Sequence, residues 1–306
     1  MYDIITLGGA DVDLYVKTLA KPEIISHLGH KDIAYHLGDK VLIDDLLITT
    51  GGGGTNTAVA FSRLGLKTGF IGLVGDDVNG RHILNELKKE KVDFLGSEMK
   101  GAVTGISLIL PTRKDRTILT YKGINDYLTI NDIKLSKAKS KWLYVSSMLG
   151  QGLETAEKIV HLAKKKGTKI AMNFSLYLAA KGLDYLSPLL QSADILVLNR
   201  EEAHILTGKK DIVDIFDSIY VHTSAIIVIT DGSGDIHASD SLRIYIKNVN
   251  PVNSVDKTGA GDAFAAGFTY AIMKGKTIDT AMDYGHKEAL SVLGHIGAKN
   301  NLLRKL

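Results

Sequence analysis

The 306-residue sequence predicts a three-layer α/β fold: a mainly parallel central sheet flanked by helices, with a small β-sheet lid added to it. Three observations carry this expectation. Short apolar runs alternate with stretches of helical period over most of the chain, which means βαβ units and a sheet covered on both faces. Two segments, at roughly 11–50 and 102–123, break that rhythm with apolar and polar residues in alternation, as half-exposed strands do. No Ser/Pro-rich linker, internal repeat or low-complexity tract divides the chain, so residues 1–306 are expected to form one domain with the lid segments inserted.

The first strand is YDIITLGG, residues 2–9, and TNTAVAFSRLG (55–65) is a helix closed by Gly65. KTGFIGLVG (67–75) is the next strand, and NGRHILNELKKEKV (79–92) repeats its apolar positions at helical spacing. After the second lid segment the alternation resumes: strand WLYVS (142–146), helix LETAEKIVHLAKKKG (153–167), strand TKIAMN (168–173), helix LDYLSPLLQSA (183–193). Strand DILVLN (194–199), helix REEAHILTG (200–208) and strand SAIIVIT (224–230) follow, then a hairpin in DIHASDSLRIYI (235–246). Within the lid segments, KVLIDDLLITT (40–50), VTGISLILPT (103–112) and RTILTYKG (116–123) read as strands.

Composition removes several function classes. Lys+Arg 37 against Asp+Glu 34 leaves a net charge of +3, with the basic residues scattered singly, so neither a nucleic-acid groove nor a polybasic membrane patch is expected. The absence of cysteine rules out disulfides, thiolate nucleophiles and Cys-based zinc sites and fits an intracellular protein. The N-terminus lacks a basic n-region, and no apolar run approaches the ~18–20 residues that span a bilayer. The expectation is a cytoplasmic, soluble protein.

Two glycine-rich stretches carry the chemistry. TTGGGGTNTAVAFSRLG places four glycines, Gly51 to Gly54, directly before a helix, where backbone can approach a ligand and free N–H groups remain. A Walker loop would continue with Lys and Ser or Thr, but Thr55, Asn56 and Thr57 stand there. The dinucleotide fingerprint fails as well, because TLGGADVD lacks its Gly spacing. In DKTGAGDAFAAGF, residues 256–268, Asp262 falls on the first turn of a helix rich in Ala and Gly, residues small enough for close approach to the sheet. A helix-start carboxylate already has a structural reason to exist; a phosphate cradle with a base at its lip is the other reading.

With DILVLNREEAHILTG between them, these stretches stand in the order of a known family. The sequence resembles the ribokinase-like (PfkB) carbohydrate and nucleoside kinases over essentially its whole length. The resemblance implies the ribokinase-like fold and transfer of the γ-phosphate of ATP to a primary hydroxyl. It implies Asp262 as general base, with the amides of Gly259, Ala260 and Gly261 as an anion hole. Asn199 and Glu202, one helical turn apart, would organise Mg²⁺ through water, although Asn199 as N-cap and Glu202 at the third helical position also read as a capping box. Thr230 and Gly232 match the nucleotide loop; Asp235 stands where relatives place a further Gly, and a plain turn into the hairpin competes. Asp13 with Gly51, Gly52 and Asn56 matches the acceptor pocket, suited to paired hydrogen bonds from vicinal hydroxyls, while Asp11 reads as a turn residue. Asp256 and Thr258 match a monovalent-cation site for K⁺, with Lys257 a departure between them.

The acceptor is read as a sugar of the ribokinase, fructokinase or ketodeoxygluconate kinase type, with a nucleoside as the alternative and a non-catalytic regulator behind both. Tyr15, Tyr35 and Tyr121 could stack on a base or pack the lid. Lys40, Arg113, Lys114, Arg116 and Lys122 could receive an acidic sugar or stay solvated. His27, His30 and His36 lack the spacing of a zinc site, and Asn173 in NFS ends a core strand, so neither a metal nor a glycan is expected there. Exposed lid edges make a homodimer through the lid the expected assembly.

Overall fold

The computed structural model describes residues 1–19, 22–27, 30–112 and 116–306, apart from the side chains of His27, His30 and Lys31. Strands β1 (Tyr2–Leu7), β2 (Asp11–Thr18), β3 (Glu23–His27), β4 (His30–Ala34) and β5 (Ile43–Gly51) lead into helix α1 (Gly53–Arg63). Then come β6 (Thr68–Ile71), β7 (Leu73–Gly75), α2 (Val78–Lys89), β8 (Asp93–Phe94), β9 (Ser97–Met99), β10 (Gly105–Pro111) and β11 (Arg116–Tyr121). Next are β12 (Ser140–Val145), α3 (Gly150–Lys164), β13 (Lys169–Asn173), α4 (Leu176–Ala179), α5 (Leu183–Leu190), β14 (Ile195–Asn199) and α6 (Arg200–Thr207). Helix α7 (Ile212–Tyr220), β15 (Ile226–Thr230), β16 (Ile236–Ser239), β17 (Ile244–Lys247), α8 (Ala260–Met273) and α9 (Ile278–Leu293) complete the order.

The large sheet runs β17-β16-β15-β14-β13-β12-β1-β6-β8 and is parallel from β15 to β8, with β16 and β17 added antiparallel. Successive residues of its strands go to opposite cores. Leu196 and Leu198 join a cluster with α3, α5, α6 and α7, while Ile195 and Val197 join one with α1, α8 and α9. Burial on both faces is why DILVLN reads as an unbroken apolar run. The chain leaves β1 toward β6 on one side and later continues from β12 on the other. The order therefore reverses between β1 and β12, where an open parallel sheet leaves a crevice at its carboxyl end.

Strands β11, β10, β2 and β5 form a separate four-stranded sheet, drawn from the two segments the sequence sets apart. Its β2 turns Asp11, Asp13, Tyr15 and Lys17 to one face and Val12, Leu14 and Val16 to the other. Among the described residues no helix is long and apolar enough to cross a membrane.

Four local expectations need correction. Helix α1 begins at Gly53 rather than Thr55, because the Gly54 amide donates to Gly9 O at 3.1 Å and anchors the glycines in the first turn. KTGFIGLVG divides at Gly72, where a side chain would meet Gly8 O, and β7 pairs with β9 apart from the main sheet. Asp11 is no turn residue: it opens β2, is buried, and pairs in register with Gly51 and Gly105. Gly267 gives close approach to α9 rather than to the sheet, its α-carbon facing Tyr284 O and the Glu288 side chain.

Glu288 on α9 is fully buried, and burial pushes its carboxyl up to about 7. The Leu303 backbone and the Arg63 charge offset part of this, neither through a hydrogen bond of normal geometry. A carboxyl raised in the folded state binds its proton more tightly there than in the unfolded chain. Its neutral form is fully retained below about 4.5, and stability is lost as pH rises from there to about 7. Glu288→Gln is expected to raise stability by on the order of 3 kcal/mol at pH 8 and to change it little at pH 4, read from thermal melts at both.

Candidate active site

The carboxyl ends of β1 and β12 open the crevice, and the N-terminus of α1 is laid across it. Gly52 caps α1 at φ 90, and a Cβ there would stand 2.5 Å from Gly9 O, so only glycine fits. Gly53 packs on Ser146 Oγ just beyond β12, and a Cβ on it would lie 3.3 Å from Asp262 Oδ1. This approach lets Asn56 Nδ2 on α1 donate to Asp262 Oδ2 on α8 at 2.8 Å. The other amide atom, Asn56 Oδ1, is buried with no protein partner. An unpaired buried acceptor is costly, and a ligand hydroxyl is the kind of donor that would satisfy it.

Asp262 is half-buried on the first turn of α8. Burial raises its carboxyl, and the hydrogen bond from Asn56 and the charge of Lys299 pull the other way. Gly259 is the N-cap at φ 79, so the amides of Ala260, Gly261 and Asp262 have no carbonyl within the helix to bond. Ala260 N reaches back to Lys257 O at 3.3 Å, a turn contact. A Cβ on Gly261 would meet nothing within 4 Å, whereas one on Gly259 would run into Ala298. The helix start thus presents amides to open space beside a carboxylate, an arrangement suited to an anionic oxygen and a proton in transit.

The lid sheet supplies a second wall. Asp13 lies against the α-carbon of Gly51, and burial, with Asp11 next to it, pushes its carboxyl up to about 7. Asp11 is raised by burial too; Asn125 Nδ2 donates to its Oδ1 at 2.5 Å while Asn125 Oδ1 accepts the Ala10 amide at 2.9 Å. Lys299, only 4% exposed, opposes these charges. Its Nζ donates to Thr50 Oγ1 and Glu86 Oε2, both at 2.7 Å. Sequence reasoning missed Asn125, Ser146 and Lys299. Each is a single polar residue outside any repeating pattern, and only the fold brings it to the crevice.

On the opposite side Asn199 and Glu202 form the capping box: Glu202 N donates to Asn199 Oδ1 and Asn199 N to Glu202 Oε2, each at 2.8 Å. Burial pushes the Glu202 carboxyl up to about 7, with the charge of Asp262 adding to it. Two carboxylates close enough that the charge of Asp262 raises Glu202, with one Glu202 oxygen left outside the capping box, are a donor set that fits a hydrated divalent cation such as Mg²⁺. Thr230 is the register partner of Asn199 on the neighbouring strand. Gly232, at φ 56, turns the chain into the β16 hairpin, with Gly234 N bonded to Asp231 O at 2.6 Å. Asp262, Asn56, Gly51, Gly52 and Asp13 thus share one end of the crevice, and Asn199, Glu202, Thr230 and Gly232 line its continuation along the strand ends.

Asp256 and Thr258 do not fit a monovalent cation. Asp256 Oδ1 accepts from the Thr258 amide at 3.0 Å and its hydroxyl at 2.8 Å; Oδ2 accepts from Tyr15 Oη at 2.7 Å and Gly297 N at 3.1 Å. Those contacts use the oxygens that K⁺ would need, and the Arg116 guanidinium already stands 4.0 Å away. Burial works to raise the Asp256 carboxyl, but the hydrogen bonds from Tyr15, Thr258 and Gly297 hold it below the usual carboxylate range. Tyr15 is committed to this contact, Tyr121 projects on the outer lid face, and Tyr35, Lys40 and Lys122 are exposed or partly so. Arg113 and Lys114 lie outside the described residues, as do the side chains of His27 and His30. Asn173 Nδ2 donates to Val197 O at 3.0 Å between core strands.

Two glycine substitutions separate fold from site. Gly259→Ala, at a positive φ and against Ala298, is expected to lower the melting temperature by several degrees. Gly261→Ala should leave it within about a degree, since its new methyl meets open space. Differential scanning fluorimetry of the two variants checks the contrast.

Comparison with known proteins bears on the family and the fold. The model of the pfkB family of carbohydrate kinases matches residues 30–305. Ribokinase of Haemophilus influenzae is 29% identical over 281 residues, covering 87% of this chain and 88% of that protein. The 5-dehydro-2-deoxygluconokinase of Bacillus licheniformis is 28% identical over 260 residues, covering 79% and 80%. The crystal structure of adenosine kinase from Sinorhizobium meliloti superposes with a TM-score of 0.84 at 21% identity over 99% of this chain and 97% of that one, a likeness of fold. With its ribokinase-like sheet, lid and crevice, the chain belongs to the pfkB family of carbohydrate kinases, phosphotransferases that act on sugar hydroxyl groups.

Proposed function

We propose that this protein transfers the γ-phosphoryl group of ATP to a primary hydroxyl of a sugar bound between the lid sheet and the crevice, within one lidded domain. The observation that carries the reading is the Asn56–Asp262 pair, with a carboxylate beside the open amides of α8 and a buried amide oxygen awaiting a donor. The acceptor hydroxyl attacks the γ-phosphorus, the bond from that phosphorus to the β–γ bridging oxygen breaks, and Asp262 takes the hydroxyl proton. The amides of Gly259, Ala260 and Gly261 would oppose the negative charge on the moving group as the anion hole. Asp262 is suited to the base role because burial raises its proton affinity above that of a free carboxylate. Mg²⁺, when bound, neutralises charge on the donor phosphates, and Asn199 and Glu202 would hold it through water.

Asp13, beside Gly51, Gly52 and Asn56, would receive the remaining sugar hydroxyls. A sugar is favoured over a nucleoside because Tyr15, the aromatic residue on the cleft face of β2, is tied to Asp256 rather than available to stack on a base. The names of the ribokinase and 5-dehydro-2-deoxygluconokinase relatives support the same choice. A dimer through the lid belongs to this proposal: its outer face carries the row Leu119, Leu108, Leu14 and Ile48, with Leu119 and Ile48 about half exposed.

Asp262→Asn is expected to lower turnover by about 10³-fold while ATP affinity changes less than about threefold, in a coupled assay paired with titration calorimetry. Turnover within tenfold of the parent would contradict the base assignment. Because burial pushes the Asp13 carboxyl up to about 7, acceptor binding should tighten as pH rises from 6 to 8, and Asp13→Asn should flatten that dependence.

A further inference from the structure

Asp256 stands at the foot of the loop that leads into α8 and fastens the lid to the body. Of its four hydrogen-bond donors, Tyr15 comes from β2 of the lid, while Thr258 and Gly297 belong to the body. A carboxylate offers about four lone-pair sites, so these bonds saturate it. All four place hydrogens, not oxygen lone pairs, toward the carboxylate. Arg116, the first residue of β11, adds a guanidinium 4.0 Å from Oδ1; its side chain is 23% exposed and that of Asp256 is 7% exposed. Tyr15, Arg116 and Asp256 line a cavity of about 170 Å³ between lid and loop, together with Lys17, Ile109 and Lys257. A monovalent ion entering here would meet a carboxylate already occupied and a fixed positive charge beside it.

We propose that Arg116 is a positioning residue that takes the place of a bound monovalent cation. Carried by the lid, its guanidinium supplies the positive charge beside the loop whose amides face the phosphoryl group, so the protein needs no K⁺. Lid docking on Asp256 and charge balance under that loop are then one event. Only the kinetic part of the test rests on the kinase reading.

The test uses the full-length protein in KCl, NaCl and choline chloride at equal ionic strength. Melting temperature without substrates should agree within about a degree in all three salts, and phosphoryl transfer within twofold. Arg116→Lys, which keeps the charge, should retain most activity, and Arg116→Met should lose at least tenfold in choline chloride. A rise of several degrees in the parent's melting temperature specific to KCl would overturn the inference without touching the kinase reading. So would fivefold activation of the parent by K⁺ over choline, or an Arg116→Met protein as active as the parent. Should Arg116→Met fail to fold, Arg116→Gln, polar but uncharged, carries the same expectation.

Discussion

The hydrogen bond from Asn56 to Asp262 holds together the two helix starts that make the crevice a site. It forms only if the first turn of α1 comes down onto the ends of β1 and β12, and that descent leaves no room for side chains at Gly52 or Gly53. The strand order sets the place of this meeting, because only at the reversal between β1 and β12 does the sheet leave its carboxyl end open. Close packing of α8 on α9 through Gly267 then fixes the direction in which the amides before Asp262 point.

The same approach gathers acids. Asp11, Asp13, Asp262 and Glu202 are all raised by burial, Asp13 further by Asp11 and Glu202 further by Asp262. Lys299, anchored by Glu86 and Thr50, is the buried counter-charge that Asp11, Asp13 and Asp262 share. It comes from the C-terminal segment, whose backbone also accepts Arg63 Nη1 at 2.7 Å at Lys299 O. The C-terminal segment therefore joins α1, α2 and the root of the lid into one electrostatic unit. An acidic crevice with an unpaired buried acceptor and open amides is complementary to a neutral polyol on one side and a phosphate with its cation on the other.

Much of this was legible in the sequence because it follows from periodicity and glycine. The βαβ alternation and the two lid segments are properties of local pattern, and both glycine-rich stretches fall where backbone must approach closely. Motif order is what singles out Asp262, Asn56 and Asp13 as candidates, and the fold brings Asn56 and Asp262 into contact. What stayed hidden depends on distance in space. Asp11 reads as a turn residue beside the Gly8-Gly9 pair, and only pairing with Gly51 and Gly105 makes it a strand residue. Asp256 and Thr258 matched a cation site, yet Tyr15, 241 residues away in sequence, donates to that carboxylate and Arg116 stands 4.0 Å from it, which no local pattern encodes. Lys299 and Asn125 carry no periodic signal and act through partners far away in the chain.

The most direct measurement is product formation by the purified protein with ATP and Mg²⁺ across pentoses, hexoses, sugar acids and nucleosides, followed by mass spectrometry. Transfer of phosphate to a sugar, with ADP formed in equal amount, is the predicted result. ATP binding without transfer to any acceptor, or transfer to nucleosides alone, would contradict a sugar kinase centred on Asp262.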